Sequence, residues 1–171
     1  MDSLLEIALR KLRGSAEQTF PDTEKRQHSV GTVGVTKMKY IPYEGSHELR
    51  VEADVSSGSN RYQCHMVFQD VYYESTDSNQ TVSFQGEDER EYHIHPVDPN
   101  VTDVKVRCNC LDFYYRFAQA NYQSDVLDGN PPPTYVKKTD RPPVNPTNAP
   151  GMCKHLMKMM DQLETVGLLR R

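Results

Sequence analysis

A chain of 171 residues, 36% hydrophobic and 26% charged, has room for one folded domain with a thin core, and its four cysteines are too few for a disulfide scaffold. No apolar run approaches the roughly 20 residues of a membrane-spanning helix. The amino terminus lacks the basic, apolar and small-residue succession of a secretion signal, so the sequence reads as soluble and unexported, with no membrane partner.

Charge is unevenly placed. Residues 1–104 carry a net −8 and residues 105–171 a net +4. A nucleic-acid binder is expected to concentrate its basic residues and interleave them with aromatics, so nucleic acid is the less favoured partner.

In chain order, Ser3-Leu-Leu-Glu6 has the form of a capping box. Leu5, Ala8, Leu9 and Leu12 follow at helical spacing and Gly14 offers a stop, which predicts an N-terminal amphipathic helix over 1–14. Residues 15–29 read as a polar connection. From 30 to 107 the pattern alternates with period two, through Leu49, Val51, Ala53 and Val55, then Tyr62, Cys64, Met66 and Phe68, then Val82 and Phe84, then Tyr92 and Ile94. Turn signals such as Ser57-Gly-Ser-Asn60 and Gly86-Glu-Asp-Glu89 separate the runs. Short connections favour antiparallel pairing, so an antiparallel β domain of five to seven strands, a sandwich or partial barrel, is expected. With the flanking helices the fold class is α+β.

The last strand places Val104, Val106, Cys108 and Cys110 on one face. The segment LDFYYRFAQANY that follows supports a helix through Phe113, Arg116, Phe117 and Ala120, and equally an extended start. Residues 128–150 hold seven prolines, which exclude a regular helix or a central strand. Met152, Leu156, Met159, Leu163 and Val166 then form a helical stripe that stops at Gly167, leaving LLRR as a short tail. Three units result: the helix 1–14, the β domain 30–107, and an extension 108–171 carrying the Pro-rich insert 128–150 and a C-terminal helix.

Cys108, Cys110, Cys153 and His155 supply the thiolate and imidazole donors of a tetrahedral zinc site. Cys108 and Cys110 emerge on one side of a strand end, about 7 Å apart along the chain, and a modest bend lets them share an ion. Two positions along a regular helix rotate by about 200°, so Cys153 and His155 cannot both face one ion from mid-helix. Pro150-Gly151 permits a tight turn that starts the helix near Cys153, with its thiolate at the positive end of the helix dipole. One structural Zn2+ is the expected cofactor. The competing readings are a disulfide within the set and plain buried thiols. Cys64 reads as a core residue, and His93 and His95, alternating on one strand face, read as solvent-facing.

Cys108-Asn-Cys110-Leu-Asp-Phe113 with the later Cys153-Lys-His155-Leu156 resembles the SWIM-type zinc finger, whose pattern is Cys-x-Cys, a spacer and Cys-x-His. The resemblance implies zinc ligation by these four residues in a hairpin-then-helix unit. The spacer here, 42 residues from 111 to 152, is longer than is usual in that family. With such an insert, including Pro-Pro-Thr-Tyr-Val-Lys-Lys-Thr and Arg-Pro-Pro-Val-Asn-Pro, the region is similar to uncharacterised virion structural proteins of tailed bacteriophages.

A site with four protein ligands leaves no position for substrate, and phosphate-loop, metalloprotease-helix, nucleophile-elbow and deaminase patterns are absent from the sequence, so no enzymatic activity is expected. The expected function is that of a virion structural protein, a capsid, neck or tail component assembled in the host cytoplasm in multiple copies beside other virion proteins. Pro131, Pro132, Pro133, Tyr135, Lys137, Lys138 and Arg141 are its candidate partner-binding residues. The alternative is an adaptor binding nucleic acid or protein, with Lys105, Arg107, Lys137, Lys138, Arg141, Lys154 and Lys158 as phosphate contacts.

Overall fold

The structure, a computed structural model, describes residues 7–21, 33–133 and 143–171. It is α+β, with antiparallel β-sheets between an N-terminal and a C-terminal helix. Seven strands run as β1 (Val33–Tyr43), β2 (Glu48–Ser57), β3 (Asn60–Phe68), β4 (Tyr73–Glu74), β5 (Val82–Gln85), β6 (Glu91–Ile94) and β7 (Val104–Cys108). They form two open sheets rather than one continuous meander, ordered β1-β2-β3-β7 and β4-β6-β5.

The alternation in the sequence sets the face each residue takes. Leu49, Val51, Ala53 and Val55 of β2, Cys64, Met66 and Phe68 of β3, and Val104, Val106 and Cys108 of β7 are all buried on one side of the larger sheet. A two-residue turn, Gly58-Ser59, joins β2 to β3, and Gly58 takes a positive φ of 62° there. β1 lies at an edge, where Pro42 costs no ladder bond, and carries a bulge between Val35 and Lys37. The other edge is covered: the Val106 amide donates to the Val126 carbonyl (2.9 Å) and the Asp128 amide to the Val106 carbonyl (3.0 Å). The smaller sheet joins this core through Tyr40, whose ring lies 5.2 Å from Phe84, itself stacked on Tyr92.

The three helices are α1 (Leu9–Thr19), α2 and α3 (Lys154–Thr165). α2 starts as Leu111–Phe113, widens into a π-helical segment Tyr114–Ala118, and ends as Gln119–Gln123. The segment that sequence alone left between helix and extended chain is therefore helical. α3 covers the inner face of the larger sheet with Leu156, Met157, Met159, Met160 and Leu163. Among the described residues no helix is long and apolar enough to cross a membrane.

Two expected boundaries move. Gly14 does not stop α1, which runs five residues further, into the expected connection; the Ser3–Glu6 capping box lies outside the described residues. A Gly inside a helix costs about 1 kcal/mol, and burial of Ala16 on the stripe of Leu9 and Leu12 offsets it. Nor does the chain after Gly167 hang free. Gly167 has the positive φ of a C-terminal cap, but Leu168 and Leu169 are buried, and the Arg170 amide donates to the Val97 carbonyl at 2.9 Å.

α1 is held to α3 by Arg13, which reaches Asp161 at 2.6 Å and Glu17 at 2.9 Å. At the π-helical segment Arg116 is buried, its guanidinium 4.6 Å from the Phe20 ring centroid and 4.7 Å from that of Phe117, with Nε 2.7 Å from Asp112. Removing the carboxylate that faces a buried guanidinium is strongly destabilising. Asp112→Ala is expected to cost about 3 kcal/mol in urea unfolding of the full chain, whereas Glu87→Ala, which removes an exposed pair with Lys39, changes it little.

Candidate metal centre

The four sequence-predicted ligands converge at the meeting point of β7, α2 and α3. Cys108 is the last residue of β7 and points inward, directly across the ladder from Cys64. Asn109 extends the pairing by one rung, its amide donating to the Gln63 carbonyl (3.2 Å) while its side-chain oxygen accepts from the Gln63 amide (2.9 Å). The chain then turns at Cys110, which keeps extended backbone (φ −75°, ψ 155°) as the N-cap of α2. Its sulfur accepts from the Phe113 amide at 3.3 Å.

The second pair solves its rotation problem at a helix start. Cys153 is the N-cap of α3, with extended φ −78° and ψ 171°, and His155 stands in the first turn. An extended residue followed by a helical one brings both side chains to the same side, which two successive helical residues would not.

The ligand atoms of Cys108, Cys110, Cys153 and His155 lie within 4.8 Å of one another, and all four residues are buried. His155 Nδ1 is 3.8 Å from Cys108 Sγ and 3.9 Å from Cys153 Sγ. A tetrahedral ion with metal–sulfur bonds near 2.3 Å and metal–nitrogen bonds near 2.1 Å needs sulfur–sulfur spacings of about 3.8 Å and sulfur–nitrogen spacings of about 3.6 Å. The donor set and its spacing fit a four-coordinate metal, and among the described residues this is the only group of three or more such side chains that could hold one.

Burial pushes the Cys108 and Cys153 thiols well above the ordinary thiol range. Cys110 moves the other way. Hydrogen bonds from Cys108 and Cys153, with His155 and the Phe113 amide adding to them, hold its thiolate far below that range. Of the three sulfurs, Cys110 is the one its neighbours favour as the thiolate, and a cation that binds displaces the protons that remain on the ligating thiols.

Residues that no motif marked hold these ligands in place. Asn121 is fully buried and grips Gly151 at both ends of its backbone, with Nδ2 donating to the carbonyl (2.8 Å) and Oδ1 accepting from the amide (2.9 Å). Asn145 closes the preceding turn, bonding to both the amide and the carbonyl of Ala149, and also donates to the Arg116 carbonyl in the π-helical segment. Gly151 differs from its expected role. It does not adopt a positive φ; a Cβ there would lie 2.5 Å from Phe117 Cε1 and 3.0 Å from Ala16 Cβ. The glycine is required by close packing, not by a tight turn.

The ring of Tyr62 lies tilted against His155, centroids 4.3 Å apart, and His155 Nε2 is buried without a hydrogen-bond partner. Cys64 is a core residue, as its inward strand position predicted. His93 bonds to Ser83 and His95 to Glu74 at exposed sites. Of the candidate partner-binding residues, Pro131 and Pro133 are exposed and Pro132 half-buried, while Tyr135, Lys137, Lys138 and Arg141 lie outside the described residues. Comparison with known proteins returned no matching family model, no matching curated protein and no matching solved structure.

Two outcomes follow from this geometry. Asn121→Ala leaves the Gly151 amide and carbonyl unpaired in a dry interior, an expected loss of about 2–3 kcal/mol in chemical denaturation, and metal affinity falls with it. Because cysteines lose their protons when they ligate a metal, apparent metal affinity below the thiol range is expected to rise with pH, measurable by chelator competition at two pH values.

Proposed function

We propose that Cys108, Cys110, Cys153 and His155 hold one zinc ion as a structural staple, and that the chain is an assembly component of a tailed-phage virion. The zinc reading is carried by the closed, buried set of three cysteines and one histidine. Four protein ligands leave no position for water or substrate, so the ion supplies cross-linking rather than catalysis. It would tie the β7 end and the starts of α2 and α3 to one point, closing the 42-residue span from Leu111 to Met152. The order Cys-x-Cys then Cys-x-His is the ground for reading the site as SWIM-type.

The assembly role rests on the resemblance of the Pro-rich insert and on the surface around it. Pro131, Pro133 and Val144 are exposed, and so are Leu111, Tyr115 and Tyr122 of α2. These are rigid or apolar groups that can be covered by neighbouring subunits at low ordering cost. The adaptor reading is less well supported. Lys105 is paired with Asp125 at 3.4 Å, and Arg107 donates to the carbonyls of Asp128 and Asn130, so two of its proposed phosphate contacts are engaged within the chain.

Elemental analysis of freshly reduced protein is expected to give one zinc per chain, lost on Cys110→Ser, with chelation lowering the melting temperature. Metal-free protein of unchanged stability would refute the staple. For assembly, a chain lacking residues 128–148 should fail to enter particles; normal incorporation would overturn that role.

A further inference from the structure

We propose that Cys64 and Cys108 form a peroxide-responsive thiol pair: oxidation joins them in a cross-strand disulfide and withdraws Cys108 from the metal. The proposal rests on the zinc-staple reading and adds to it a means of release. Cys64 is not a member of the ligand group, yet it is the residue directly opposite Cys108 in the β3–β7 ladder. Both are free, buried and inward-facing.

Register decides whether they can be joined. The Asn109 amide bonds to the Gln63 carbonyl and the Gln69 amide to the Asp103 carbonyl, so the hydrogen-bonded positions of this ladder are the odd residues of β3. Cys64 and Cys108 therefore form a non-hydrogen-bonded pair, the kind in which opposing Cα atoms are closest, about 4.5 Å apart. That lies within the roughly 4.4–6.8 Å span of disulfides. Cys108 and Cys110, two residues apart along extended chain, are separated by about 6.6 Å, at the far limit of that span. Cys64 is thus better placed than Cys110 to pair with Cys108.

The chemistry balances with hydrogen peroxide as the oxidant. Peroxide would transfer one oxygen to Cys108, a thiolate when it ligates the metal, giving a sulfenic acid and hydroxide. The Cys64 sulfur attacks the Cys108 sulfur, the S–S bond forms, the S–O bond breaks, and the oxygen leaves as water with the Cys64 proton. Two thiol sulfurs are oxidised and the peroxide is reduced. Zinc, left with Cys110, Cys153 and His155, loses one of its four ligands and with it much of its affinity.

The test treats zinc-loaded full-length chain with hydrogen peroxide, follows release with a chromogenic chelator, and maps disulfides after alkylation. Wild type is expected to yield a Cys64–Cys108 linked peptide and to regain one zinc after reduction. In Cys64→Ala, with Cys64→Ser as an alternative removal should the alanine variant not fold, Cys108 lacks its partner and proceeds to sulfinic acid, so reduction no longer restores binding. A mapped disulfide that omits Cys64, or full recovery of the variants, would overturn the proposal. Zinc content of the reduced variants separates the two readings. One equivalent there leaves the staple standing whatever the peroxide result, whereas a zinc-free reduced wild type sinks the staple itself.

Discussion

Three thiols and an imidazole share a pocket from which water is almost wholly excluded, an arrangement that could hold a cation. Burial pushes the Cys108 and Cys153 thiols up, while hydrogen bonds from its neighbours push Cys110 down. The rest of the chain is arranged to bring the four side chains to this point. β7 delivers one sulfur at its end, and two helix starts deliver the others, each from an extended N-cap residue. The helix N-terminus favours a thiolate on electrostatic grounds and also reorients the chain sharply within one residue. The reorientation is used twice, at Cys110 and at Cys153.

Around the ligands lies a polar framework that replaces regular secondary structure where prolines exclude it. The stretch leading to Cys153 has no ladder and no helix to fix it, so its backbone groups must find partners among side chains. Asn121 and Asn145 provide them, one to Gly151 and the other to Ala149 and the π-helical segment. The widened turns of α2 also bring Arg116 inward between Phe20 and Phe117, so α1, α2 and the approach to α3 meet over a single buried cation. The π-helix is thus part of the support on which the Cys153 and His155 pair rests.

Much of this was legible in the sequence, for reasons specific to each element. Period-two alternation named the buried faces of β2, β3 and β7 residue by residue, since a strand has only two faces and one must be apolar. The ligand set was legible because thiolate and imidazole pairs at two-residue spacing satisfy one ion only under backbone constraints that the flanking residues met. Partition into two sheets was not legible: β4, β5 and β6 are two to four residues long, and short alternation carries no information about which neighbour a strand will choose. Gly14 and Gly151 misled in opposite senses. Gly14 has the sequence context of a terminator and is tolerated inside a helix; Gly151 has the context of a hinge and is a packing contact. Asn121 carried no visible signal, because a polar residue beside an apolar stripe usually faces water, and only the fold reveals the bare backbone it serves.

The separation of the two half-sites along the chain has a consequence in time. Forty-two residues are made between Cys110 and Cys153. At translation rates of about 5–20 residues per second, that interval is about 2–8 s. During it the β3 and β7 strands can already pair, setting Cys64 opposite Cys108, while the helix that covers them does not yet exist. A newly made chain can therefore set Cys64 opposite Cys108 before the helix start that brings Cys153 and His155 to the same point has been made.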